Sequence, residues 1–209
     1  MSNAAYVLEY EADGHGCPYF IAEEREPSEW EWDSIDPNSA AVPVKKNYSV
    51  KITDTEISDM DFDFYGTGTK YVSSLFIDVC NSLLVDFRCI PVEIEYSDGS
   101  RPKKDYSIFL PAVHLPLMDL ERSNFEVEKV VETGEAMTHR YFPGVPFFSK
   151  IDKFTLKDIP IPPLFECVEL GRLVCNATFR NRALQVGLRG VNFIGIDESF
   201  TYDPWAEWS

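Results

Sequence analysis

Histidine is the scarcest residue that catalysis or metal binding could use: three in 209 residues, His15, His114 and His139, far apart. The five cysteines, Cys17, Cys80, Cys89, Cys167 and Cys175, are an odd number, widely spaced, with no C-x-x-C pair. That spacing argues against a disulfide framework and against a zinc site. Four of them stand among apolar residues, where a free thiol behaves as a small hydrophobe, so a reducing cytoplasm is the expected setting. No G-x-S-x-G elbow and no H-E-x-x-H helix occurs. Gly66-Thr67-Gly68-Thr69-Lys70 lacks the G-x-x-x-x-G-K-[ST] spacing that closes backbone amides around a phosphate, and reads as a turn before a helix. No run approaches the ~20 apolar residues of a membrane span. The opening MSNAAYVLEYEADG shows neither the basic nor the apolar region of a secretory signal. No internal repeat is visible.

Negative charge is abundant. Thirty-five acids face nineteen bases, a net of −16, and the excess is uneven. Residues 1–65 carry fifteen acids and four bases; the other 144 carry twenty and fifteen. Such a charge repels nucleic acid and anionic membranes and attracts basic partners from a distance. The bases that do cluster, Arg101, Lys103 and Lys104, then Arg172, Arg180, Arg182 and Arg189, make no nucleic-acid stripe. Hydrophobic residues are 44% of the chain, enough to bury a core.

The order of elements sets the fold class. YVLEY at 6–10 and residues 19–21 read as a hairpin with a long loop. An acidic loop with Trp30 and Trp32 follows; at least one tryptophan is expected to pack on the domain. YSVKI at 48–52 is a strand, and VSSLFIDVCNSLLV is a helix capped by Ser73 or Ser74. CIPVEIEY and DYSIFLPAVHLPL are two strands about an Asp98-Gly99 turn, the second running to Leu117, with Pro111 and Pro116 suggesting an edge or a bulge. Residues 121–150 look like a polar excursion. Strands follow at FFSKIDKFTLKD and PLFECVEL, then a second helix over LGRLVCNATFRNRALQVG and a closing strand VNFIGID. This order does not alternate β and α, and predicts an α+β fold with a mainly antiparallel mixed sheet and two principal helices. One domain over 1–209 is expected, with an acidic segment over 1–65, a core over 66–198 and a tail over 199–209.

His114, Asp119 and Glu121 in LPAVHLPLMDLERS are the most site-like group. On a strand, His114 faces opposite to both carboxylates, so the three cannot act together locally. No catalytic, cofactor-binding or metal-binding residue is assigned. The surface best suited to a partner is acidic and aromatic: Glu29, Trp30, Glu31, Trp32, Asp33 and Asp36, then Asp59, Asp61 and Asp63 in DMDFDF, where alternation puts the acids on one face. Aromatics supply anchor area, and acids steer a basic surface.

The chain resembles immunity protein family 11 of bacterial polymorphic toxin systems. The likeness runs through YVLEY, VSSLFIDVCNSLLV, CIPVEIEYSDGS, LMDLERS, IPPLFECVEL and GLRGVNFIGID, in order and over nearly the whole length. It implies a non-enzymatic cytoplasmic antidote that binds a cognate toxin, delivered by type VI or contact-dependent secretion. No cofactor, nucleic acid or membrane is implied. The acidity adds the expectation of a basic toxin surface, such as a nuclease groove. A hydrolase whose Cys and His meet only in the fold, and an acidic adaptor with several partners, are the rival readings.

Overall fold

The computed structural model describes residues 4–12, 16–66 and 68–204. In chain order its strands are Ala5–Tyr10 (β1), Glu23–Glu26 (β2), Tyr48–Ile52 (β3), Phe64–Tyr65 (β4), Tyr71–Ser73 (β5), Phe87–Glu95 (β6) and Tyr106–Pro111 (β7). Then come His114–Leu115 (β8), Asn124–Val127 (β9), Phe148–Lys153 (β10), Leu164–Cys167 (β11), Arg172–Asn176 (β12) and Val191–Gly195 (β13). The helices are Ser74–Ser82 (α1) and Ala177–Val186 (α2). A six-stranded sheet runs β2-β3-β6-β7-β5-β4, a five-stranded sheet runs β13-β1-β12-β11-β8, and β9 pairs with β10. Among the described residues only the β3–β6 and β8–β11 pairings are parallel, so the fold is α+β and mostly antiparallel.

Period-two patterning builds the larger sheet. Tyr48, Val50 and Ile52 of β3 are buried while Ser49 and Lys51 are exposed. On β6, Val92 and Ile94 point inward and Glu93 and Glu95 outward. A one-residue slip would expose every one of these apolar groups, which fixes the register. The helices instead bury a stripe. Phe76, Val79 and Cys80 of α1 meet Phe179 and Ala183 of α2 in a cluster that also takes Leu8 from β1 and Phe109 from β7. Phe76 stands 5.8 Å from Phe179 and 5.5 Å from Phe109, centroid to centroid. Burying such a ring stabilises the fold by about 2–3 kcal/mol.

Several expectations need correction. YVLEY forms no hairpin with residues 19–21; β1 lies between β12 and β13, from the far end of the chain. The apolar run after the Asp98-Gly99 turn ends as β7 at Pro111, in the interior of its sheet, and His114 resumes in the other sheet as β8. The second helix starts only at Ala177, because Arg172–Asn176 is β12.

A repeat is present after all, in the backbone. β5, α1 and β6 form a crossover whose two parallel strands flank antiparallel β7. β12, α2 and β13 form the same crossover around β1. In each unit the last strand residue caps the helix: Ser73 Oγ accepts from Phe76 N, and Asn176 Oδ1 from Thr178 N and Phe179 N. In each, the cap's own N–H donates to the preceding short strand's approach, Ser73 to Asp63 O and Asn176 to Pro163 O. In each, the residue eleven past the cap is left-handed, Leu84 at φ 54° and Gly187 at φ 72°. The middle strand follows its crossover as β7 in the first unit and precedes it as β1 in the second, so the copies are circularly permuted. Ser and Asn cap equally well, so even the shared caps leave no common residue in the sequence.

Candidate functional site

The acids and tryptophans singled out from the sequence do not form one open face. Trp30 and Trp32 stack at 5.0 Å, both lie against Tyr48, and Trp32 is buried. Glu31 is engaged by its own chain: Oε2 accepts from the amides of Lys45 and Lys46, both at 2.9 Å, and from Tyr48 Oη. These bonds hold its carboxyl below the usual range, the Lys46 amide most of all. Glu29 and Asp33 are exposed, and Asp36 is half-buried.

The DMDFDF segment is extended, but alternation fails at its end. Asp59 and Asp61 are half-buried, while Asp63 is 1% exposed. Asp63 Oδ1 accepts from Ser73 Oγ at 2.6 Å and Lys104 Nζ at 2.9 Å, and Oδ2 from Arg189 N at 2.8 Å. Asp61 pairs with Lys104 at 2.8 Å and with Arg189. Lys104's hydrogen bond, ahead of other causes, lowers the Asp61 carboxyl. Burial alone would lower Lys104; its bonds to the two aspartates outweigh that and raise it. Asp63 is therefore no partner-facing residue. It ties the two repeats together. Gly190, at φ 73°, lets this happen, since a Cβ there would lie 2.8 Å from Phe62 Cβ and 2.9 Å from Phe64 O.

A different group converges where the sheets meet. His114 of β8 and Glu166 of β11 are register partners, so their side chains share a face. Lys70, just before β5, reaches Glu166 Oε2 at 3.2 Å; the lysine side chain is 8% and the glutamate 12% exposed. This is an ion pair by distance whose angles make no hydrogen bond: Oε2 has no such partner among the described residues, and neither has buried His114 Nδ1. These groups line a cleft of about 130 Å³ with Ile35 and Ser34 of the tryptophan loop and His139 and Phe142 of the β9–β10 arm. Burial, then the charge of Lys70, pushes His114 down to about 4, against a weaker opposing pull from Asp36. Burial also lowers His139. Burial raises Glu166, and Lys70 works against that rise.

Asp119 and Glu121 lie apart from this cleft. Asp119 pairs with Arg122 at 2.6 Å in a local turn. No cysteine lines the cleft, and burial raises the thiols of Cys80, Cys89, Cys167 and Cys175. No group of three metal-ligating side chains converges among the described residues. No helix among them is long and apolar enough to cross a membrane. His15 lies outside the described residues. Sequence reasoning misses this site because it depends on the parallel pairing of His114 with Glu166, which has no local trace.

No protein-family model matches the chain, and no curated protein matches it. The resemblance to immunity protein family 11 thus rests on the quoted segments alone.

Proposed function

We propose that this chain is an immunity protein that binds a cognate secreted bacterial toxin in the cytoplasm and neutralises it by shape and charge, without turnover. The observation that carries this reading is the outer surface of residues 19–35. Tyr19, Phe20 and Ile35 are 88%, 67% and 54% exposed. Glu24, Glu26, Glu29 and Asp33 are exposed beside them in sequence, and no cation pairs with them among the described residues. Arg25 is the only base in the first 44 residues, and it lies over Trp30 at 4.7 Å. Apolar anchors among unneutralised acids suit a basic protein surface, the acids standing in for phosphates of a nuclease's substrate.

The test is genetic and then physical. The reading frame beside this gene is expressed in a sensitive host with and without this chain. Restored growth together with a stable purified complex supports the reading. Unrelieved toxicity, or a neighbour with no toxic effect, removes it.

A further inference from the structure

The cleft between the sheets holds two buried polar atoms whose hydrogen-bonding capacity the fold leaves open, one of them held only by the Lys70 ion pair. His114 Nδ1 and Glu166 Oε2 belong to register-paired residues, and both lack a hydrogen-bond partner among the described residues. An unpaired buried polar atom is costly, and His114 Nδ1 accepts when the ring proton is on Nε2, so a site that keeps these atoms open is suited to a ligand bearing donors. The space, about 130 Å³, is far more than one water needs. The Lys70–Glu166 pair is nearly enclosed, and buried ion pairs are poor stability devices.

Charge selects the ligand. Lys70 and Glu166 form an ion pair, and burial favours the neutral form of both imidazoles. Asp36, next in sequence to the lining residue Ile35, adds a negative field that reaches His114. An anion would meet no unmatched cation there. A monocation would be attracted, and Ile35 and Phe142 offer apolar wall to an aliphatic stem. His139 accepts from Tyr141 N through Nδ1, so its neutral ring carries the proton on Nε2. A planar group with several N–H donors can satisfy both acceptors at once, which an ammonium does with poorer geometry.

We propose that this cleft seats an arginine side chain of the partner protein, its guanidinium donating to Glu166 and His114. The proposal rests on the toxin-binding reading and gives that partner a specific anchor. The exposed acids of residues 24–33 then steer the partner, and the cleft holds it.

The cleft is tested without any toxin. Methylguanidinium is titrated into the full chain while the imidazole NMR signals of His114 and His139 are followed, with methylammonium, acetate and inorganic phosphate as comparators. The expected result is a saturable His114 shift with methylguanidinium, at least several-fold weaker with methylammonium and absent with the anions. Glu166→Gln should weaken it tenfold or more. Asp36→Asn, which leaves the Lys70–Glu166 pair intact, should weaken it several-fold and guards against a folding defect in the first variant. A saturable shift with acetate or phosphate, or none with methylguanidinium, overturns the proposal. So does guanidinium binding combined with unchanged capture of the neighbouring gene's product by Glu166→Gln. If wild-type protein captures no toxin, the proposed function fails by itself, and the titration still decides the cleft.

Discussion

The carboxylate of Asp63 accepts a hydrogen bond from the backbone amide of Arg189, 126 residues further along the chain, at 2.8 Å. The Asp63 amide donates in return to Arg189 O, also at 2.8 Å. This reciprocal pair joins the strand approach of one crossover unit to the loop leaving the helix of the other.

Removing that carboxylate should be costly. Asp63→Ala leaves Ser73 Oγ and the Arg189 amide without this acceptor, and Lys104 with Asp61 alone, in a site that is 1% exposed. Breaking a buried pair in this way destabilises by about 3 kcal/mol. Urea unfolding measures it, and a loss under about 1 kcal/mol would show that the network is dispensable.

Leu84→Gly should stabilise. Leu84 is left-handed at φ 54° and 90% exposed, so it gives up backbone energy without burying its side chain. The equivalent place after α2 is Gly187. A gain of about 1 kcal/mol is expected from relieving the left-handed strain. Thermal unfolding that shows no gain would mean the leucine makes up the difference elsewhere.

Acid should weaken the fold through His114. Its ordinary value is 6.5, and here it lies at about 4. The folded chain therefore binds this proton less readily than the unfolded chain. The stability from the neutral ring is complete above pH 6.5 and is lost as pH falls toward 4. His114→Phe should show a smaller drop in Tm across that window than the wild type. Equal drops would assign the acid sensitivity to other groups.

Charge reversal distinguishes surface acids from internal ones. Glu24→Lys, Glu26→Lys and Glu29→Lys together should slow toxin association at least tenfold at low salt and flatten its salt dependence, with Tm nearly unchanged. An unchanged association rate would show that these acids do not steer. Reversal at Asp61 and Asp63, by contrast, should appear first as lost stability, because their partners lie within the fold.

Legibility follows range. YSVKI and VNFIG are recognisable as strands, since alternation or a short apolar run between turn residues is a local property. A serine cap at Ser73 or Ser74 is recognisable for the same reason, and the structure selects Ser73. RLVCN reads as helix because it runs into Asn176 with no Gly or Pro between strand and cap. YVLEY cannot be given its partners, which lie at Arg172–Asn176 and Val191–Gly195. The alternation in DMDFDF misleads at Asp63, where burial beside Lys104 overrides the period.

Composition and periodicity alone determined the acidity, the α+β class, the cap of the first helix to within one residue and most strands, because charge, turn chemistry and side-chain alternation act between near neighbours. Only the tertiary structure decided that Asp63 is internal, that the chain holds two permuted copies of one crossover, and that His114, Glu166 and Lys70 share a cleft. Those outcomes depend on pairings between distant stretches of the chain, where the free energy lies in burial and register that no short stretch of sequence contains.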